Sequence, residues 1–184
     1  MERFNCEIEK GLITVFFGNS GCGKTTLTRL LLDLEKADSG EVVVPDVRKS
    51  VVFQEDRLLE WLTVGDNIAS VLEKGDDLKI IEDVLKLMEI YDYKDKYPNE
   101  LSGGMKRRLA FARALCYKGE MYILDEPFKG FDDELKKRIL PVIFKLKEHG
   151  KTIILITHNK EEADLLADKI YFMKGPLLKI TNPY

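Results

Sequence analysis

The run Gly18-Asn19-Ser20-Gly21-Cys22-Gly23-Lys24-Thr25 constrains this chain more than any other feature. It lies between an apolar stretch, Leu12 to Phe17, and a segment whose leucines at 27, 30, 31 and 34 fall on one face of a helix predicted over Lys24 to Leu34. A strand must therefore pass into a helix through a short turn punctuated by glycine. Glycine permits the tight, partly left-handed backbone such a turn needs and lets backbone amides approach a bound group closely. Those amides and the positive end of the following helix face one point, which makes the turn an anion cradle. The spacing G-x-x-x-x-G-K-[ST] adds a lysine cation and a hydroxyl to that cradle. A plain glycine-rich turn is the alternative, and the strand and helix on either side weigh against it.

The same alternation of apolar runs and helical periodicity continues along the chain and predicts an α/β fold with a largely parallel sheet. Strands are predicted at Phe4 to Ile8, Leu12 to Phe17, Glu41 to Val44, Ser50 to Phe53, Met121 to Asp125, Thr152 to Thr157 and Lys169 to Met173. Further helices are predicted at Leu78 to Ile90, Asp132 to His149 and Lys160 to Ala167. Strand signals vanish from Trp61 to about Cys116, so that region reads as an all-helical insert. With 184 residues, 45% hydrophobic and 33% charged, the chain fits one globular domain over 1–184. Its core lobe is expected at about 1–60 and 117–184, and its helical subdomain at about 61–116.

Apolar runs such as Leu12 to Phe17 and Ile153 to Ile156 fall well short of the roughly 18 residues a membrane span requires. The start, Met1 to Asn5, has no basic and then apolar leader, so a cytoplasmic location is expected. Twenty-nine basic against thirty-two acidic residues give a net charge of -3, which predicts no nucleic-acid partner. Cys6, Cys22 and Cys116 are an odd number without a close pair, which argues against a disulfide framework or a zinc site and suits a reducing compartment. Cys22 sits among loop amides and beside Lys24, an environment expected to favour its thiolate; a small residue tolerated at a variable position is the plainer reading.

Within the cradle, Lys24 offers a mobile cation to the β- and γ-phosphates of a nucleotide and Thr25 a hydroxyl to Mg²⁺. Met121-Tyr122-Ile123-Leu124-Asp125-Glu126 is an apolar strand ending in two acids. At the carboxyl end of a strand beside such a loop, Asp125 can hold Mg²⁺ and Glu126 can polarise an attacking water, although two acids can also simply cap the next helix. Ser102-Gly103-Gly104 opens a third helix and makes a second anion-binding end. One nucleotide needs one cradle, so two suggest that each serves a nucleotide bound mainly by another copy. Lys106-Arg107-Arg108 reads as a solvated or phosphate-facing helix start.

Taken in order, these motifs resemble the nucleotide-binding subunits of ABC transporters across essentially the whole chain. Gly18 to Thr25 is similar to Walker A, Gln54 to the Q-loop glutamine, Leu101 to Met105 to the signature, Asp125 and Glu126 to the Walker B pair, Asp132 to the D-loop acid and His158 to the switch histidine. The resemblance implies a P-loop NTPase with a mostly parallel core sheet, a small antiparallel β lobe and an inserted α-helical subdomain. It implies ATP and Mg²⁺ as ligands. Nucleotide contacts would come from Gly18, Asn19, Ser20, Gly21, Cys22, Gly23, Lys24, Thr25, Thr26, Gln54, Ser102, Gly103 and Gly104. Metal ligation falls to Thr25, Gln54 and Asp125, and catalysis to Glu126 and His158. The implied partners are a second copy, paired head to tail through ATP, and integral membrane permease subunits that hold the chain at the inner face of the membrane.

Family members usually carry an adenine-stacking aromatic well upstream of the loop; no counterpart is expected here, Phe4 aligning instead with a core position of the first strand. Met105 stands where the signature usually has Gln. From the short tail beyond Lys179, no regulatory domain like that of some sugar importers is expected. The segment Phe53 to Val64 is similar to that of importers for nitrate, sulfonates and taurine, and Trp61 and Leu62 are candidates for a permease groove or for lobe packing. A soluble ABC-type ATPase of cofactor assembly or DNA maintenance is the alternative function. A non-hydrolysing regulatory subunit fits less well, because Lys24, Asp125, Glu126 and His158 are all retained.

Overall fold

The computed structural model describes residues 5–173. Five strands, β1 (Ile13–Gly18), β2 (Lys49–Val52), β3 (Met121–Asp125), β4 (Thr152–Thr157) and β5 (Lys169–Met173), form one sheet in the order β2-β3-β4-β1-β5. Every pairing in it is parallel. Each crossover is covered by helix: α1 (Lys24–Leu31) follows β1, α5 (Asp133–Glu148) follows β3 and α6 (Lys160–Leu166) follows β4. Between β2 and β3 lie α2 (Val64–Ala69), α3 (Lys79–Leu87), two short 3₁₀ turns and α4 (Gly103–Cys116).

Side chains alternate across the strands, and the alternation separates two cores. Ile13 and Val15 of β1, Tyr122 and Leu124 of β3, and Ile153 and Leu155 of β4 share one face with residues of α2 to α6. Phe16, Ile123, Ile154 and Ile156 point the other way and pack on Leu27 and Leu31 of α1. Phe111 of α4 anchors the larger core, with ring centroids 6.3 Å from Phe128 and 5.8 Å from Phe131.

Four helices begin on side-chain caps that the sequence supplies: Thr63 accepts from the Asp66 amide, Ser102 from Met105, Asp132 from Leu135, and Asn159 from Glu161 and Glu162. Helix α1 stops at Leu31, short of Leu34. Asp33 is left-handed at φ 55°, and the Leu34 and Asp33 amides fold back onto the Arg29 and Leu30 carbonyls, a helix stop that leaves Leu34 exposed.

The antiparallel lobe is a correction. Among the described residues no strand forms at 5–8 or 41–44, and no antiparallel pair exists; Phe4 and Lys179 lie outside them. The Glu7 backbone is satisfied by a side chain instead, its N–H donating to the Tyr171 hydroxyl (3.1 Å) and its carbonyl accepting from it (2.9 Å). Val42 and Val43 are exposed, and among the described residues no strand pairs with them. Apolar content marks a strand only where an edge is available to receive it.

Phe111→Ala removes a side chain that is 1% exposed from the junction of sheet and helical segment. Urea denaturation should show a loss of about 3–5 kcal/mol.

Candidate functional site

Parallel register brings the site together. Phe17 of β1 pairs with Thr157 of β4, Ile156 of β4 with Asp125 of β3, and Leu124 of β3 with Val52 of β2. The residues that follow these strands, Gly18 onward, His158, Glu126 and Gln54, therefore leave the same carboxyl edge of the sheet, where ligands of open α/β sheets bind.

Gly18 is dictated by packing: a Cβ there would lie 2.5 Å from the Met173 carbonyl oxygen and 2.8 Å from Cys22 Sγ. Gly21 and Gly23 are left-handed, at φ 81° and 99°. Asn19, Ser20, Gly21, Thr25 and Thr26 are exposed along the loop. Helix α1 opens with no side-chain cap and no acidic residue in its first turn, so its leading amides and positive end are free to receive an anion. Cys22 corrects one expectation. It is 5% exposed and packs in the core with Phe16 and Leu27, so it is not an accessible thiol of the loop.

Lys24 is 7% exposed; its Nζ donates to the Gly18 carbonyl (2.8 Å) and lies 3.5 Å from Glu126 Oε1. The same carboxylate oxygen is 3.0 Å from His158 Nδ1, and the His158 side chain is half exposed. Glu126 reaches this position through a left-handed backbone, φ 47°, an unfavourable conformation for a residue with a Cβ. Its N–H is fixed on the Ile156 carbonyl at 2.8 Å.

Asp125, 2% exposed, accepts from the Thr28 hydroxyl at 3.2 Å. Burial holds its carboxyl above the ordinary range and the Glu126 charge adds to this, opposed by the Thr28 hydrogen bond and by the Lys24 and Arg107 charges. Thr25 Oγ1 donates to Gln54 Oε1 at 3.4 Å. Among the described residues no three His, Cys, Asp or Glu side chains cluster as a metal cage. A hydroxyl, an amide carbonyl and a carboxylate are all hard oxygen donors, a set that fits Mg²⁺ shared with a phosphate better than a zinc site.

Ser102 caps α4, accepting from the Met105 amide at 3.3 Å, and is exposed with Gly103. Gly104 packs against Gly130, where an added Cβ would lie 3.5 Å from the carbonyl oxygen. Among the described residues no hydrogen bond joins Ser102, Gly103 or Gly104 to the Gly18–Thr25 loop. Asp132 divides its oxygens between the Leu135 amide (2.8 Å) and Arg108 (2.9 Å).

Arg107, expected in a solvated or phosphate-facing cluster, is 4% exposed and turned inward. Its guanidinium donates to the Phe53, Gln54, Asp125 and Glu126 carbonyls. The signal is present in the spacing, since Arg107 shares a helical face with Ala110, Phe111 and Ala114, all buried. Thr28 and Asn67 carry no sequence signal of their roles. Asn67 is fully buried and holds the Leu59–Thr63 turn through Leu59 N and the Leu59, Leu62 and Thr63 carbonyls.

Residues 1–129 match the ABC transporter family. This chain belongs to that family. It is 35% identical to an aliphatic sulfonates import ATP-binding protein of Bacillus cereus, covering 98% of this chain and 76% of that one. It is 36% identical to the sulfate/thiosulfate import ATP-binding protein of Pectobacterium atrosepticum, over 100% of this chain and 62% of that one. A dimeric ATP-binding cassette in a post-hydrolysis state bound to ADP and Pi superimposes with a TM-score of 0.86 at 25% identity, covering 97% of this chain and 88% of that chain. The fold is thus that of a P-loop NTPase, and the chain is an ABC ATPase.

Because burial raises the Asp125 pKa above its unfolded value, the contribution of this group to stability is complete below the unfolded pKa and is lost as pH rises through the folded one. In the nucleotide-free protein, Asp125→Asn should raise the thermal midpoint at neutral pH, and calorimetry should show the gain shrinking as pH falls to about 4.

Proposed function

We propose that this chain is the ATP-hydrolysing subunit of a membrane importer and acts as a head-to-tail pair with one Mg²⁺-ATP at each shared site. The observation that carries the reading is the convergence on Glu126 of Lys24 and His158, at the mouth of an amide-lined loop. It is supported by relatives named as import ATP-binding proteins and by dimeric solved cassettes.

The loop from Gly18 to Thr26 holds the phosphates through backbone amides, with Lys24 leaving the Gly18 carbonyl for the β- and γ-phosphates. Glu126 accepts a proton from the attacking water, and His158 orients that carboxylate and contacts the γ-phosphate. Thr25, Gln54 and Asp125 hold Mg²⁺, which when bound neutralises developing charge on the phosphate oxygens. Ser102, Gly103 and Gly104 of one copy close on the γ-phosphate held by the other, using the exposed start of α4. The pathway for solute belongs to separate permease subunits, with this chain on their cytoplasmic side, a reading supported by relatives named as import ATP-binding proteins; among the described residues no helix is long and apolar enough to cross a membrane. Closure around ATP draws the two copies together, and hydrolysis releases them.

Glu126→Gln should lower ATP turnover by about 100-fold or more while trapping an ATP-dependent dimer on size exclusion. A variant that stays monomeric with ATP would oppose the shared site. Lys24→Ala should weaken ATP binding at least ~10-fold by titration, and unchanged affinity would mean that the loop does not grip phosphate.

A further inference from the structure

We propose that Arg107 is a positioning residue for hydrolysis, clamping the Gln54 segment to the Asp125–Glu126 strand end so that both face one phosphate. The inference rests on the hydrolytic roles given above to Gln54 and Glu126.

β2 and β3 are paired up to Val52 and Leu124 and then diverge into loops. Beyond that point the carbonyls of Phe53, Gln54, Asp125 and Glu126 point into the space between the loops, and the Arg107 guanidinium fills it. Nη1 donates to the Phe53 carbonyl, to the Gln54 carbonyl at 3.4 Å and to Asp56 Oδ1 at 3.3 Å. Nη2 donates to the Asp125 carbonyl at 2.6 Å and the Glu126 carbonyl at 2.7 Å. One planar group thus bridges two loops that no strand ladder joins, a geometry a fork of donors satisfies and a point charge does not.

Glu126 shows why the bridge matters for chemistry. Its left-handed backbone swings the carboxylate toward Lys24 and His158, and a conformation of that kind persists only when its surroundings hold it. The Ile156 carbonyl holds the residue's N–H, and its C=O accepts from Arg107 and from the Lys129 amide at 3.2 Å. With Arg107 removed, the only one of these restraints that also reaches the Gln54 loop is gone, while Lys24 keeps its bond to the Gly18 carbonyl. The partial neutralisation of this buried cation comes from Asp56, which lies on the Gln54 loop and so strengthens the same link.

Arg107→Lys keeps the charge and most of the buried stem but replaces the fork with a single ammonium. Steady-state ATPase assays should show kcat reduced about 10- to 100-fold, with the ATP dissociation constant changed by less than about threefold. Hydrogen exchange should quicken at amides 54–57 and 126–129 and stay at the wild-type rate at 18–25. Turnover within about twofold of wild type would overturn the proposal. So would a parallel fall in turnover, ATP affinity and loop protection, the mark of general destabilisation. Should Arg107→Lys fail to fold, Asp56→Asn, which loosens the same clamp from its outer end, must lower kcat without lowering affinity, and an unchanged kcat there overturns the clamp. Wild-type protein without ATPase activity, or Lys24→Ala with undiminished ATP binding, would instead refute the underlying ATPase reading, so the two failures are distinguishable.

Discussion

Parallel pairing of β1, β4, β3 and β2 is the constraint from which the site follows. With Phe17 beside Thr157 and Ile156 beside Asp125, the chain has no freedom over where the phosphate loop, the acidic pair and His158 begin. A slip of one residue in either ladder would exchange the two faces of a strand, burying the wrong side chains against α1 and turning Asp125 away from Thr28. The apolar alternation of Ile153, Ile154, Leu155 and Ile156, all fully buried or nearly so, is therefore as much a part of the site as the groups that touch ligand.

That edge of the sheet gathers charge in a way an ordinary core does not tolerate. Lys24, Arg107, Asp125 and Glu126 are each no more than 7% exposed. Buried ions cost several kcal/mol each unless paired and hydrogen-bonded, and here the pairing is incomplete in an informative pattern. Lys24 has a carbonyl and a carboxylate at 3.5 Å, a separation looser than a direct hydrogen bond. Asp125 has one hydroxyl and a raised pKa. Arg107, by contrast, is engaged by four carbonyls, with only its Nε unsatisfied. Lys24 and Asp125, with fewer partners than Arg107, are the groups proposed above to meet a phosphate and a divalent cation, whereas Arg107 is proposed to act through the backbone it holds.

Much of this was legible in the sequence because it rests on local chemistry. The glycine pattern, the apolar strand ending in Asp125-Glu126, and the caps Ser102 and Asp132 are short-range signals, and each settles the backbone within a few residues. What escaped is long-range. Arg107 is 54 residues from Phe53, and a basic triplet at a helix start reads as solvated unless its burial partners are known. Thr28 is separated from Asp125 by 97 residues and looks like any helix threonine. The strands predicted near residues 5–8 and 41–44 failed for a related reason: apolar composition is local, but a pairing edge is not.

The helical segment makes the remaining link. Helix α4 runs 14 residues, about 21 Å at 1.5 Å per residue, from Ser102 at its exposed start to Cys116 against the sheet. Along that length it grips the chain that follows β2 twice. Arg107 takes Phe53, Gln54 and Asp56, and Arg113 donates to the Arg57 carbonyl at 2.7 Å and to Asn67 Oδ1 at 3.4 Å. Asn67 in turn fixes the Leu59–Thr63 turn beside exposed Trp61. Because both arginines project from one helix, the start of α4, the turn beside Trp61, Gln54 and Glu126 are linked through the same few guanidinium bonds.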